Sequence, residues 1–172
     1  MTRTGPVLSP LERVEEIVFG LIMTLTFTGT LSVATADHAE VRAMLIGALG
    51  CNLAWGLVDG VMYMLGVMAE RGPARPAGSR GMLIHPVTGR DVRGAFQVFL
   101  LVFLSTFPLV IPFLFLHQAR HALRISNGIA LALLFACGWY LGRHAGGRPW
   151  LGGILLLVVG VILVGLTIAL GG

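Results

Sequence analysis

Five apolar stretches, each long enough to cross a bilayer as a helix, dictate what this chain can fold into. They run Ile17–Ala36, Ala43–Met68, Ala95–Leu116, Ile125–Leu141 and Leu151–Leu170. A hydrocarbon core of about 30 Å takes roughly 20 helical residues, and a helix satisfies its own backbone amides where no water can. Charged residues make up 12% of the 172, about half the share of a soluble domain. A soluble fold this short could not hide the 56% that is hydrophobic. The expected fold is therefore all-α: one polytopic transmembrane domain over residues 1–172, with five helices at 10–36, 43–69, 95–116, 124–141 and 151–170.

The basic residues set the orientation. All twelve are arginine. Arg3, Arg13, Arg71, Arg75, Arg80, Arg90, Arg93, Arg143 and Arg148 fall on one side of the five segments, and Arg42, Arg120 and Arg124 on the other. Nine against three over short loops places the N-terminus in the cytoplasm, and five spans then leave the C-terminus outside. The net charge of +4 reflects this asymmetry and contact with anionic lipid heads, so nucleic acid is not an expected partner. The all-arginine set points to a GC-rich bacterial genome and hence to a bacterial plasma (inner) membrane. Cys51 and Cys137 lie at different depths, which argues against a disulfide, and no CxxC pattern announces zinc.

Several joints are readable. In "SPLE", Ser9 is the expected N-cap, Pro10 the first helical residue and Glu12 the third, a reciprocal capping pattern. Asp37–Glu40 reads as a tight outer turn, and residues 71–93, rich in Gly, Pro and Arg, as a cytoplasmic loop too short for a second domain. Gly56-x-x-x-Gly60 permits close helix approach. Pro108 and Pro112 in "FPLVIPFLFL" imply a kink or break that frees backbone carbonyls near Leu104 and Pro108. "HQARHALR" brings His117 and His121 to i and i+4, but two ligands flanked by arginines read better as a polar interfacial loop than as a metal site.

One residue breaks the apolar pattern in kind. Asp59 is the only ionisable residue deep within a span, about 6 Å on the cytoplasmic side of the middle of its helix. An aspartate near a helix centre costs on the order of 2.5–3.5 kcal/mol on insertion scales, so such a group is either protonated or has a cationic companion. Asn52, Trp55, Met62 and Tyr63 recur around it at steps of three and four, and Met23, Thr24, Thr26 and Thr28 on the first helix can face it. A carboxylate, an amide, thioethers and hydroxyls form a mixed donor set that suits Fe2+ or Mn2+ better than Ca2+. The expected metal set is Asp59, Asn52, Met62 and Met23, with Glu12 and Glu16 as an acidic cytoplasmic mouth. The plainer reading has Asp59 bonding a neighbouring helix, methionines filling space, and the glutamates in a solvated first turn that suits the helix dipole. No Walker, GxSxG, HExxH or Ser/His/Asp pattern is present, so no enzyme and no tightly bound cofactor are expected.

Three stretches carry a family likeness. "ERVEEIVFGLIMTLTFTGTLSVATA" resembles the first helix of the vacuolar iron transporter family, whose opening is of the type REIVFGLNDG. "FPLVIPFLFL" resembles that family's double-proline turn, and the chain from Ala122 onward resembles its final hairpin. The resemblance implies a homodimer whose first helices line a path for Fe2+ or Mn2+ against protons. The chain departs from the pattern at Ile22-Met23-Thr24, where the family has Asn-Asp-Gly, and at Val61-Met62-Tyr63, where it has Gly-Glu-Tyr. The Glu-rich cytoplasmic domain of larger members is replaced by the short arginine-rich loop. Two functions are therefore open: a proton-coupled divalent metal transporter built on Asp59, or a membrane scaffold or accessory subunit that keeps the fold without the metal site.

Overall fold

The computed structural model describes residues 7–29, 38–70, 87–116 and 118–170, and these form six helices with no strand among them. They are α1 (Pro10–Gly29), α2 (His38–Glu70), α3 (Gly89–Leu104), α4 (Phe107–Phe115), α5 (Ala119–His144) and α6 (Pro149–Ala169). Helix α1 is the axle: it touches all five others, while α2 pairs with α3, α5 with α6, and α4 with α5. Its central place explains why Leu21, Leu25, Thr24 and Thr28 are almost wholly buried on a helix that starts in polar sequence.

Four helical stretches are long and apolar enough to cross a membrane: Ala39–Ala69, Gly89–Phe115 (α3 and α4 together), Ala119–His144 and Pro149–Ala169. The first expected span begins at Ile17, but its residues 30–36 lie outside the described residues. Large apolar side chains such as Leu57, Val61, Leu155 and Ile162 stand exposed on the outer faces, as a lipid-solvated surface requires. The multi-pass helical membrane architecture therefore stands.

Local chemistry places the helix ends. The Ser9 amide donates to Glu12 Oε2 at 2.6 Å and the Glu12 amide to Ser9 Oγ at 3.2 Å, closing the capping pair that the sequence announced. A second acidic cap went unread: the Thr88 amide and hydroxyl both donate to Asp91 Oδ2, at 2.8 and 2.6 Å. It starts α3 at Gly89, so Arg90–Arg93 are helical rather than loop. Helices α2 and α5 likewise begin ahead of their apolar stretches, at His38 and Ala119, because polar residues continue the ladder beyond the hydrocarbon. His121 thus sits exposed in the first turn of α5, while His117, like Asp37 and residues 71–86, is outside the described residues.

The paired prolines produce a break rather than a bend. Helix α3 stops at Leu104, and the Thr106 amide turns back to Phe103 O at 3.3 Å, leaving Val102 O without its usual i+4 donor. Ser105 Oγ takes up that carbonyl at 2.6 Å. Pro108 lies in the first turn of α4, where no amide hydrogen is needed, and Pro112 lies inside it. Ser126 Oγ on α5 donates to Leu109 O at 2.8 Å and pins the short helix.

Packing relies on missing side chains, as expected where lipid supplies no hydrophobic drive between helices. Gly56 and Gly60 seat α2 against the α3 backbone: an added Cβ would lie 3.0 Å from Phe99 O and 3.0 Å from Ala95 O respectively. Closer still is α5 on α6, where Gly138 and Gly152 meet backbone to backbone. The larger core joins Leu21 and Leu25 of α1 to Leu109, Ala130 and Leu134, and a smaller one gathers Met44, Phe113, Ala122 and Leu123. Cys51 and Cys137 are both free.

Candidate functional site

Where α1, α2 and the α3–α4 break converge, polar atoms gather at mid-depth. Asn52 of α2 is fully buried, and its Nδ2 lies 3.0 Å from Gly20 O, 3.0 Å from Thr24 Oγ1, 3.4 Å from Val102 O and 2.7 Å from Thr106 Oγ1. Gly20 makes this possible, because a Cβ there would strike Ser105 Oγ and come within 2.6 Å of Val102 O. One amide thus ties three helices together at the point where the backbone ladder is interrupted.

Asp59 lies two turns further along α2, toward its Glu70 end. A step of seven returns to the same helix face, so Asn52, Asp59 and Tyr63 form one stripe, with Gly56 and Gly60 beside it. The Asp59 side chain is half-buried, but its Oδ2 is sealed and meets no hydrogen-bond donor among the described residues. Antiparallel packing brings Glu16 of α1 into range: one turn back from Gly20 answers two turns on from Asn52. Glu16, which precedes the apolar stretch of α1, has its carboxyl pushed from the ordinary 4.5 up to about 7, by burial first and then by the negative charges of Asp59, Glu15 and Glu12.

The expected metal set divides. Asn52, Asp59 and Glu16 lie along one seam between α1 and α2. Glu12 is exposed and occupied in capping Ser9. Met23 is half-buried on the Glu16–Gly20 stripe, and Met62 is 60% exposed on the outer flank of α2, beside Trp55, which meets Phe19 edge-to-face at 5.7 Å. Of the three threonines, Thr24 reaches Asn52. Thr26 and Thr28 bond to their own helix, at Met23 O (2.8 Å) and Leu25 O (3.1 Å). No group of three or more His, Cys, Asp or Glu side chains converges as a metal cage among the described residues.

Ser105, Thr106 and Gln97 were missed by sequence reasoning. Their signal was available: a Ser-Thr pair just before the first proline, and a lone amide in "AFQVFLLV". Gln97 belongs to a set with a common sign. Among the described residues, the buried side-chain polar atoms left without a partner are Asn52 Oδ1, Asp59 Oδ2, Gln97 Oε1 and Asn127 Oδ1. All four are oxygen acceptors, and three belong to the α2–α3 pair. A buried acceptor without a donor costs about 1–3 kcal/mol, and only a proton, a donor or a cation removes that cost.

No protein-family model and no curated protein matches the chain.

Proposed function

We propose that the chain is a proton-coupled membrane transporter of divalent transition-metal ions, Fe2+ or Mn2+, in which Asp59 holds metal and proton by turns. The observation that carries this reading is the sealed Oδ2 of Asp59, on an apolar helix, which meets no donor among the described residues. An aspartate so placed is either protonated or has a cationic companion. Glu16 supplies a second carboxylate at about the level of Asp59, and Glu12 stands at the mouth beyond it. A metal bound at Asp59 requires the deprotonated carboxylate, so metal entry displaces a proton and metal departure readmits one. Exchange follows from that competition. The amide of Asn52 and the thioether of Met23 stand further along the same seam, two turns from Asp59 on the path across the bilayer.

In this reading the first helix is a fifth span, the N-terminus is cytoplasmic and the C-terminus outside. The protein works as a homodimer in a bacterial plasma membrane. The likeness of the first helix, the double-proline break and the last hairpin to vacuolar iron transporters supports the choice of ion. The replacement of that family's Asn-Asp-Gly by Ile22-Met23-Thr24 makes Asp59 the residue on which transport depends. The second reading, a scaffold or accessory subunit without transport, is favoured by the outward position of Met62 and the lack, among the described residues, of a converged three-ligand cage.

Proteoliposomes separate the two. The transporter reading expects saturable Fe2+ or Mn2+ uptake that falls at least tenfold in Asp59→Asn, with the variant still folded by circular dichroism. Uptake unchanged by the substitution removes Asp59 from the mechanism, and no uptake of either ion favours the scaffold.

A further inference from the structure

Where α5 hands the chain to α6, two arginines and a histidine stand on one tight turn with no acid to answer them. Arg143, His144 and Arg148 are all exposed. Among the described residues, neither arginine has an ion-pair or side-chain hydrogen-bond partner. No aspartate or glutamate follows Asp91 in the sequence, so the α5–α6 hairpin carries none. Arg13, Arg42, Arg90 and Arg93, by contrast, each have an acidic residue within two positions.

The turn is stiffly built. Gly138 meets Gly152 backbone to backbone, and a Cβ on Gly142 would lie 3.1 Å from Pro149 Cα and 3.2 Å from Arg148 O. Gly146 crosses over at φ 73°, which glycine adopts without strain, and the Gly147 amide donates to Gly142 O at 3.1 Å. These contacts hold Arg143 and Arg148, the neighbours of Gly142 and Pro149, at one level. The His144 ring is fixed as well: it stacks on Tyr140 with centroids 4.0 Å apart, and its Nδ1 lies 2.9 Å from Tyr140 O. A carbonyl only accepts, so Nδ1 carries the hydrogen and Nε2 is left for another partner. Exposed Trp139 and Trp150 flank the arginines. Such rings settle at headgroup level, and the membrane-crossing stretches Ala119–His144 and Pro149–Ala169 meet here.

We propose that this turn is a binding site for the phosphate of an anionic phospholipid. Guanidinium forks match phosphate oxygens in geometry as well as in charge, and two forks on one rigid turn can share a single phosphate. Basic clusters at the ends of membrane helices hold such headgroups. A zwitterionic headgroup sets its own cation against the arginines, whereas phosphatidylglycerol brings negative charge alone. The lipid is the source because its acyl chains also cover the exposed Trp139 and Trp150, which a soluble phosphate would leave bare. The site does not involve Asp59 and stands or falls apart from the transport reading.

The test places the protein in phosphatidylcholine nanodiscs, with Trp55→Phe leaving Trp139 and Trp150 as the emitting residues. Part of the lipid is replaced by phosphatidylglycerol brominated high on its acyl chains. Bromine quenches tryptophan only near contact, so quenching reads lipid occupancy at the turn. Brominated phosphatidylglycerol should quench beyond an equal fraction of brominated phosphatidylcholine. Arg143→Gln or Arg148→Gln should lower its apparent affinity about fivefold. The double glutamine variant should lose the excess, while Arg143→Lys with Arg148→Lys, which keeps the charge, should retain part of it. Quenching by brominated phosphatidylcholine should be the same in every variant, a sign that the fold is kept, and Arg120→Gln at the far end of α5 should leave the excess intact. Equal quenching by the two lipids, or an excess that survives the double glutamine substitution, overturns the site. Displacement of the brominated lipid by added inorganic phosphate overturns the lipid as its occupant.

Discussion

Replacing Asn52 in three ways asks what the joint is made of. Asn52→Leu deletes two donors, a loss of about 2 kcal/mol at roughly 1 kcal/mol per net hydrogen bond. It creates few new orphans, because Gly20 O keeps Thr24 Oγ1 and Val102 O keeps Ser105 Oγ. It also removes the donorless Oδ1, which returns on the order of 1–3 kcal/mol. The two effects nearly cancel, so Leu should cost no more than about 1 kcal/mol. Asn52→Ala loses the same bonds and leaves a cavity, for about 2–3 kcal/mol. Asn52→Asp sets a buried charge against Gly20 O and Val102 O and should cost about 3–5 kcal/mol. For a chain this long, 1 kcal/mol shifts the unfolding midpoint by about 2–4 °C. Thermal unfolding, followed by tryptophan fluorescence, should therefore rank the variants Leu, Ala, Asp in order of increasing loss. Asp as stable as Leu would mean that the amide does not face two backbone carbonyls, and the description of the joint would fall with it.

Other consequences are quicker to state. Gly138→Ala drives a Cβ into the Gly152 carbonyl on α6, where backbone cannot give way, and should cost about 1–3 kcal/mol or more. Gly165→Ala on the open side of α6 has nothing within 4 Å and should be neutral in the same unfolding assay. Glu16, held near 7 against an ordinary 4.5, keeps a proton in the folded state that the unfolded chain releases. Its stabilising contribution is complete below about 4.5 and is lost as the pH rises through about 7. Stability should therefore decline across that window, and Glu16→Gln should flatten the decline. A slope unchanged by the substitution would move the titration to another group.

The sequence was most informative where one residue type has one physical use. Ser9 and Glu12 can cap only each other at that spacing, Pro108 and Pro112 must interrupt a ladder, and twenty apolar residues have few alternatives to a helix. It was less informative where polar residues act at a distance. Asn52 and Asp59 were visible as oddities, but that Asn52 would meet Gly20, Val102 and Thr106 depends on three helices crossing at one level, which no spacing within α2 encodes. Met62 shows the opposite error. A step of three from Asp59 is close in projection, yet it turns the side chain to the outer flank because Gly56 and Gly60, not Met62, define the inner face. Ser105, Thr106 and Gln97 were legible as letters but not as neighbours. The polar helix starts at Thr88 and Gln118 were hidden because apolar content marks where lipid ends, not where hydrogen bonding ends.

The most direct measurement follows manganese and protons together in vesicles carrying a trapped pH dye. Driving Mn2+ inward should alkalinise the lumen, as protons leave in exchange for the metal, with both fluxes lost together in Asp59→Asn. Metal crossing with no accompanying proton, or with undiminished rate once that carboxyl is gone, would show that the lone acid in α2 has no part in moving ions.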